Sequence, residues 1–330
     1  MHEKYMNLLC CPETGEELNL TVEEGKPNGM VVSGKLVSRS GRIYPIVRGI
    51  PRFVKSEHYA ASFGFEWNRW PRVQFESENI GRPMQGHTTR MWEVITAAEQ
   101  HEIKGMKIVE FGCGPGRFLD VVRRKGGFAI GIDVSQAVES ARRNFPDDPD
   151  VLIVQGDIYS PPFQVESFDG GYTIGVLHHT PTPEKGLSAL VRTVRKNGWV
   201  ACSVYHQYGF YASVAVARFR RLHNAVRPYF GYSLALVYSY FSAYVLTHIF
   251  RKLRGTRLAA VNAYLESEWL PCLADLPDVR WRLLDTFDGI TPSIASTHTR
   301  ADVISWMEKA GCKDYVFPAW GETAIVGIRK

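Results

Sequence analysis

Acidic residues are missing from about a quarter of the chain. No Asp or Glu occurs between Lys185 and Leu265, a stretch that carries twelve Lys and Arg. Within it, residues 229–250 have no formal charge and are rich in Tyr, Phe, Leu and Val. Such side chains solvate poorly, so this segment must be covered by the rest of the fold, by a partner or by lipid. The formal net charge of the chain is only +5, so the distribution of charge says more than its total.

Paired cysteines and a leader-like N-terminus are also lacking. The six cysteines are scattered, which argues against a disulfide framework in a chain of this length and favours reduced thiols. The opening residues Met-His-Glu-Lys-Tyr show neither the basic region nor the apolar core of a signal peptide. Hydrophobic residues make up 45% of the chain, which predicts a packed core. These features predict a cytoplasmic globular protein.

A glycine-rich turn is the most informative feature that the chain does have. Residues 108–117 read Ile-Val-Glu-Phe-Gly-Cys-Gly-Pro-Gly-Arg, and a second apolar segment ends at Asp133. Glycines let the backbone approach a ligand closely, and a helix N-terminus beside such a turn offers free N–H groups. An acid about 20 residues later can accept ribose hydroxyls. The pattern predicts a nucleoside-binding edge of an α/β sheet.

The spacing within this turn argues against a dinucleotide. A dinucleotide site requires Gly-x-Gly-x-x-Gly, whereas Gly112, Gly114 and Gly116 alternate with other residues. Glu110 stands just before the turn, and its carboxylate would repel a pyrophosphate. The same carboxylate suits a ligand that bears an ammonium or a sulfonium group.

Five motifs in order, over about 100 residues, resemble a class I S-adenosylmethionine-dependent methyltransferase. Besides the turn and Asp133, the sequence Gln-Gly-Asp-Ile around Asp157 resembles the family's adenine-contacting position. Residues 168–179 resemble the fourth strand and its loop, and residues 192–200 resemble the turn before the fifth strand. In that last turn Asn197 replaces the usual Pro-Gly pairing.

The resemblance implies a fold, a cofactor and a set of binding residues. The fold is α/β, a Rossmann-like doubly wound seven-stranded sheet whose last strand is antiparallel. The cofactor is S-adenosyl-L-methionine, with S-adenosyl-L-homocysteine as product. The cofactor-binding residues implied are Glu110, Gly112, Cys113, Gly114, Gly116, Asp133, Val134, Asp157, Ile158 and Thr173.

The N-terminal residues 1–55 resemble the small zinc-ribbon-like domain of tRNA-methyltransferase activator subunits, which is also found fused to bacterial methyltransferases. A structural zinc usually needs two Cys-x-x-Cys pairs. Here Thr14 stands three residues after Cys11, and Ser38 and Gly41 occupy the second pair. We therefore predict a β module without metal. It should be held together by packing of residues such as Leu8, Leu18, Ile43, Tyr44, Ile46 and Ile50.

The rest of the chain divides into four segments. Residues 56–105 are predicted to form a helical cap with a helix from Thr88 to about Glu102, and residues 206–285 a helical insertion before the last strands. Residues 106–205 should form the methyltransferase core, with strands near 107–111, 128–132, 151–154, 169–174 and 198–204. Residues 286–330 should complete the sheet, with a helix over 301–310 stopped by Gly311 and strands near 313–318 and 323–328.

Histidines are the candidate proton acceptors. His178 and His179 follow the fourth strand, at the carboxyl edge where ligands bind in open α/β sheets. Histidine titrates near neutrality, so one of the two is the candidate base, although the second position of such a pair often only braces the loop. The substrate candidates are chosen by position and are Trp67, Tyr205, His206 and His298. Arg90 is a candidate to bind the methionine carboxylate of the cofactor. The alternative is that it is an ordinary surface arginine.

These motifs predict methyl transfer to an O, N or C atom of a small or lipid-like molecule. RNA methylation is the first rival, supported by the basic stretch and the activator-like module. Against it, the loop after the fourth strand lacks Asn/Asp-Pro-Pro-aromatic, so we do not expect nucleic acid as a partner. A non-catalytic partner subunit is the second rival, but the intact glycines, Glu110 and Asp133 argue against a decayed site.

The insertion has three interpretations. It could be a helical lid over a bulky, apolar substrate that bears phosphate or carboxylate, a partner interface, or an in-plane membrane helix. In the third case residues 218–257 would make the protein peripheral at a membrane. A complete span would leave the final strands on the wrong side of the bilayer. The sequence leaves the acceptor and the oligomeric state open.

Overall fold

A four-stranded antiparallel sheet forms the N-terminal part of the protein. The structure, a computed structural model, describes residues 1–54 and 60–330, so the predicted boundary between residues 55 and 56 lies outside the described residues. The strands, which follow one another in chain order across the sheet, are β1 (Leu18–Gly25), β2 (Val31–Ser38), β3 (Ile43–Val47) and β4 (Ile50–Pro51).

The packing of this module follows the alternation of a strand. Along β3, Tyr44 and Ile46 are buried, whereas Ile43 is 59% exposed, so its predicted place in the core is wrong. The reason is the two-residue period, which points Ile43 to the opposite face of the sheet. The other residues predicted to hold the module together are buried, namely Leu8, Leu18 and Ile50.

A seven-stranded sheet forms the centre of the protein. Its strands are β5 (Lys107–Phe111), β6 (Phe128–Asp133), β7 (Val151–Gln155), β8 (Phe168–Ile174), β9 (Val194–Ser203), β10 (Cys312–Val316) and β11 (Ile325–Arg329). The order is β10-β11-β9-β8-β5-β6-β7. β11 runs antiparallel to both neighbours, and the pairs from β9 to β7 are parallel. The predicted fold class is confirmed.

The small sheet is joined to the large one at the edge strand β7. Cys10 donates its backbone N–H to the carbonyl of Pro162 at 3.0 Å, and Phe53 donates to the carbonyl of Gln155 at 2.8 Å. The guanidinium of Arg52 also reaches the side-chain oxygen of Gln155 at 2.6 Å. The N-terminal module therefore covers an edge that would otherwise be open to pairing.

Helices cover both faces of the large sheet. They are α1 (Ala61–Arg69), α2 (His87–Ile95), α3 (Arg117–Arg124), α4 (Ala137–Asn144), α5 (Pro183–Thr193) and, before the last strands, α11 (Arg300–Lys309). α2 ends well before the predicted Glu102, because Ala97 takes a left-handed φ of 48°. α11 begins with a capping box between Thr299 and Asp302, and Gly311 ends it with a φ of 87°.

The insertion is helical. Its helices are α6 (Val214–Phe230), α7 (Ser233–Phe241), α8 (Thr247–Leu253), α9 (Ala259–Glu268) and α10 (Val279–Ile290), with a π-helical segment Ser242–Leu246 between α7 and α8. Among the described residues, one helical run, Ser233–Leu253, has the length and composition to cross a membrane, and 39% of its apolar window is buried in the protein. One such run is weak evidence for a span.

α10 links the insertion to the rest of the protein. Ala235 of α7 belongs to one apolar cluster with Phe287 and Ile290 of α10, and Phe65 of α1 packs against that cluster. The ring of Phe65 stacks on that of Phe287 with centroids 5.7 Å apart. α10 is therefore held between the outer helices of the insertion and the helical cap.

Candidate active site

A pocket with about 1140 Å³ of empty space, its mouth included, lies at the carboxyl ends of the central strands. The β5 turn contributes Gly112, the end of β6 contributes Asp133, and α1 contributes Trp67. The insertion adds Tyr211 and Asp285. Parts that are distant in sequence therefore meet at the edge of the sheet where open α/β folds bind ligands.

The glycine turn brings the backbone to the wall of this pocket. Gly112 has a φ of 79°, and a Cβ there would lie 2.4 Å from the side chain of Val176. No other residue type fits this position without displacing that neighbour. Gly114 donates its N–H to Oδ2 of Asp133 at 2.9 Å, which ties the turn to the end of β6.

Asp133 is held in a fixed orientation. Its Oδ1 accepts hydrogen bonds from the N–H and the hydroxyl of Ser135, both at 2.8 Å. Burial raises the pKa of Asp133, and the hydrogen bonds from Ser135 and Gly114 act in the opposite sense. A carboxylate offers about four acceptor sites, and among the described residues Oδ2 receives only the Gly114 N–H, so it can still accept from a ligand hydroxyl.

Glu110 presents a buried carboxylate to the same pocket. It is 2% exposed, and Oε2 accepts a hydrogen bond from the hydroxyl of Tyr172 at 3.1 Å. No salt bridge to Glu110 occurs among residues 1–54 and 60–330. Burial raises its pKa well above the ordinary value. A cationic ligand group beside it would restore the ionised form.

His179 has one ring nitrogen bonded and the other free. Nδ1 lies 2.9 Å from the carbonyl oxygen of Ile294, which can only accept, so Nδ1 carries the proton. Nε2 therefore carries the lone pair, and within the described part of the chain it has no hydrogen-bond partner although it is buried. His179 lines the pocket. Burial lowers its pKa, which keeps the ring neutral near neutral pH.

His178 has the opposite tautomer, with the proton on Nε2, which also lacks a hydrogen-bond partner among the described residues. Its Nδ1 accepts the backbone N–H of Tyr205 at 3.1 Å, and its ring stacks on that of Tyr205 with centroids 3.5 Å apart. Its carbonyl oxygen accepts the N–H of Ser296 at 2.9 Å. The side chain is fully buried outside the pocket wall. This geometry holds the loop between β8 and the following helix.

Carboxylates gather at the far end of the pocket. Asp285 and Asp288 of α10 line it, and the hydroxyl of Tyr205 donates to Oδ2 of Asp288 at 3.0 Å. Burial and the neighbouring Asp288 raise the pKa of Asp285 to about 7, against the opposing effect of Arg117. Glu66 is fully buried near this pair, and neither of its oxygens has a hydrogen-bond partner among the described residues.

The residues predicted for the site separate into two groups. Those in the pocket wall are Trp67, Glu110, Gly112, Gly114, Asp133, Val134, Ile158, His179 and Tyr205. Those described outside the wall are Cys113, Gly116, Asp157, Thr173, His178, His206 and His298. In the second group, Asp157 accepts the N–H of Tyr159 at 2.9 Å, and His206 and His298 pair with each other through a backbone bridge.

Arg117, Tyr211, Asp285 and Asp288 also line the pocket and were not predicted. Arg117 is the first residue of α3, directly after the glycine turn, and that position was the one available signal. Tyr211 and Asp285 come from the insertion, and Asp288 follows Asp285 on α10, where no local pattern points to the pocket. Arg90, the candidate for a methionine carboxylate, is exposed and lies outside the wall.

Comparison with known proteins agrees with this geometry. Residues 109–202 match the family model described as a methyltransferase domain. The chain is 26% identical over 167 residues to 24-methylenesterol C-methyltransferase 2 of Oryza sativa subsp. japonica, which covers 47% of this chain and 46% of that protein. It is 27% identical over 110 residues to demethylmenaquinone methyltransferase of Clavibacter sepedonicus, covering 33% and 45%.

A solved structure, the S-adenosylmethionine-dependent methyltransferase from Mesorhizobium loti, is 25% identical with a TM-score of 0.31 and covers 34% of this chain and 51% of that one. The chain spans less than half the length of the curated relatives it matches. Residues 109–202 are a methyltransferase domain. The cofactor of this domain is S-adenosyl-L-methionine, which leaves S-adenosyl-L-homocysteine after transfer.

Proposed function

We propose that this protein transfers a methyl group from S-adenosylmethionine to an O, N or C atom of a small or lipid-like molecule. One observation carries the proposal. His179 presents a proton-free Nε2, without a hydrogen-bond partner in the described part of the chain, in the pocket that also holds the carboxylates of Glu110 and Asp133. A base and two recognition groups for the cofactor therefore share one cavity.

The residues present fit the cofactor. Asp133 would accept the ribose hydroxyls, Glu110 would face the cationic methionine end, and the glycine turn would let the ligand approach the backbone at Gly112. S-adenosylmethionine supplies a methyl group on a sulfonium sulfur, which is already an activated leaving group. The residues of the protein must therefore align the acceptor with the methyl group, exclude water and accept the proton that the acceptor loses.

His179 is proposed to take that proton. As a methyl group is transferred, Nε2 would accept the proton that the acceptor atom gives up. The hydrogen bond from Nδ1 to the carbonyl of Ile294 fixes the tautomer that this step requires. Asp288 raises the proton affinity of the ring, although burial has the larger and opposite effect on its pKa.

The lining of the pocket supports a small or lipid-like acceptor. Phe63, Trp67 and Leu284 form apolar walls, and Tyr205 and Asp288 offer a few polar groups between them, as in small-molecule sites. Relatives named for sterol and menaquinone methylation are compatible with such an acceptor. Other relatives are named as tRNA methyltransferases, so RNA is a rival that the test must address.

The test follows a labelled methyl group. The protein is incubated with methyl-labelled S-adenosylmethionine and fractionated cell extract, and label is expected in a lipid or polar small-molecule fraction. His179→Ala should slow transfer by about 10²–10⁴-fold, the usual worth of a positioned base. Its affinity for the cofactor, measured by calorimetry, should stay unchanged.

His206→Ala is the matched control, because His206 lies outside the pocket wall and should not affect transfer. Label in RNA would show that the substrate is RNA and would refute the proposed small or lipid-like acceptor. Full cofactor binding with label in no fraction would favour a non-catalytic subunit. An undiminished rate in His179→Ala would remove the base from the mechanism.

A further inference from the structure

The helical run 233–253 buries several of its hydroxyl side chains. The hydroxyl of Ser239 donates to the carbonyl of Ala235 at 2.8 Å, and that of Ser242 donates to the carbonyl of Pro271 at 3.1 Å. Both serines are buried, as is Thr247. A surface helix normally buries its apolar stripe and exposes its polar side chains. Here the inner side combines these hydroxyls with the buried Leu246 and Phe250, and large apolar residues face outward as well.

The outward side carries large apolar residues at intervals of three or four, with Tyr244 and Val245 adjacent. They are Leu234, Val237, Phe241, Tyr244, Val245 and Ile249, each between 42% and 68% exposed. We call these six residues the exposed stripe. Helical spacing places them on one side of the run. An apolar strip of this length is unusual on a protein surface unless something covers it.

Basic residues stand at both ends of the stripe. Arg227 precedes it, and Lys252 and Arg257 follow it. Within the part of the chain that the structure describes, these three cations have no ion pair, whereas Arg254 pairs with Glu266 and with Asp275. The local acids are therefore already engaged, and the ends of the stripe keep an excess of positive charge.

This charge decides between the two simplest occupants. A second copy of the chain would bring the same basic ends towards its own, and like charges in an interface oppose association. A membrane rich in anionic lipid is complementary, since juxtamembrane Lys and Arg are attracted to it while apolar and aromatic side chains enter the interface.

We propose that the exposed stripe and its basic ends form a docking surface for an anionic membrane, with the helical run lying in the plane of the interface. The buried side of the run makes a span incompatible with this fold. Ser242 is bonded to Pro271, and the guanidinium of Arg282 on α10 donates to the carbonyl of Ala243 at 3.3 Å. Those contacts would have to break for lipid to surround the helix.

The proposed surface lies one helix away from the active site. Ala235, on the inner side of α7, packs against Phe287 of α10, and α10 lines the pocket through Leu284 and Asp285. The inner layer of the insertion, α10, therefore corresponds to the lid interpretation, and the outer layer corresponds to the membrane interpretation. The proposal goes beyond the proposed function and does not rest on it, because docking can be measured without turnover.

The experiment is flotation of the full chain with vesicles. The protein should float with vesicles of phosphatidylcholine and phosphatidylserine, and less with phosphatidylcholine alone. Val237→Glu combined with Ile249→Glu should lower the vesicle partition coefficient at least about tenfold, since each removes an apolar side chain that would be buried in the lipid interface. Ile80→Glu and Val165→Glu are the matched controls, being 72% and 69% exposed outside the stripe.

A second pair of variants tests the charge. Lys252→Gln and Arg257→Gln should each weaken binding to the anionic vesicles by about fivefold, with little change on neutral ones. Unchanged affinity for S-adenosylmethionine would show that every variant is folded. Absence of flotation with either vesicle, or flotation unaffected by the stripe variant, would overturn the proposal. So would a dimer in sedimentation that Val237→Glu and Ile249→Glu disperse, which would assign the stripe to a second copy.

Discussion

Asp133 makes the strongest single-residue prediction for the cofactor. Asp133→Ala removes the carboxylate that the N–H of Gly114 and both donors of Ser135 hold toward the pocket. Charge-assisted hydrogen bonds contribute about 1.5–3 kcal/mol each, so affinity for S-adenosylmethionine should fall at least about tenfold. Calorimetry measures this directly. Asp314→Ala, on an exposed position of β10, is the control, and equal affinity in the two variants would refute the cofactor assignment.

Asp285 makes a prediction about pH. Its folded pKa of about 7 lies far above the ordinary 3.8, so between these values the folded chain holds a proton that the unfolded chain has released. The contribution of Asp285 to stability must therefore fall as pH rises from about 4 to about 7. Between pH 5 and pH 8, the free energy of unfolding should change less in Asp285→Asn than in the wild type. The two changes should differ by at least about 1 kcal/mol, since one pKa unit is worth 1.36 kcal/mol.

Urea unfolding of the ligand-free protein at both pH values gives the measurement. Asp275→Asn is the matched control, because the Asp275 side chain is 84% exposed and lies on the loop before α10. If Asp285→Asn keeps the pH dependence of the wild type, Asp285 does not carry a shifted proton.

Local patterns identified only part of the site at the residue scale. Glu110 and Asp133 were predictable because each stands at the end of an apolar strand, where chain direction alone fixes the edge of the sheet. Asp285 and Tyr211 were not, because they reach the pocket through the packing of a helical insertion. Arg117 is an intermediate case. The sequence shows that it follows the glycine turn, but it does not show that its side chain lines the pocket.

At the scale of elements, the buried strands were the most predictable part. A parallel strand buried on both faces reads as an apolar run, and β5 to β8 were each placed within a residue or two. Boundaries set by single backbone conformations were missed. β9 begins at Val194 rather than 198, ahead of the left-handed Asn197, and α2 stops at Ile95.

The N-terminal module makes a prediction about metal. Thr14, Ser38 and Gly41 stand where zinc-binding relatives would carry cysteines, and the thiol of Cys11 lies 3.1 Å from the hydroxyl of Tyr44. Elemental analysis of purified protein is expected to find no stoichiometric zinc. One zinc per chain that disappears in Cys11→Ser but persists in a Cys202→Ser control would contradict this expectation.

On the scale of the whole molecule, the insertion joins two surfaces of different chemistry. Its inner helix α10 brings Asp285 and Asp288 to the pocket, and its outer run carries the exposed stripe. The apolar cluster around Phe287 connects the two layers. A molecule that partitions into lipid would meet the protein on the side of the insertion, whose inner helix lines the active site.

The place of the insertion in the chain also governs how the protein is made. β11 completes the sheet by pairing Ile325 with Cys202, roughly 120 residues earlier. At about 5–20 residues per second, a ribosome needs about 6–24 seconds to supply that partner strand. Throughout this interval the nascent chain holds β9 with an unpaired edge beside an apolar insertion. Recovery of soluble protein should therefore depend on chaperone supply and synthesis temperature as much as on the stability of the finished fold.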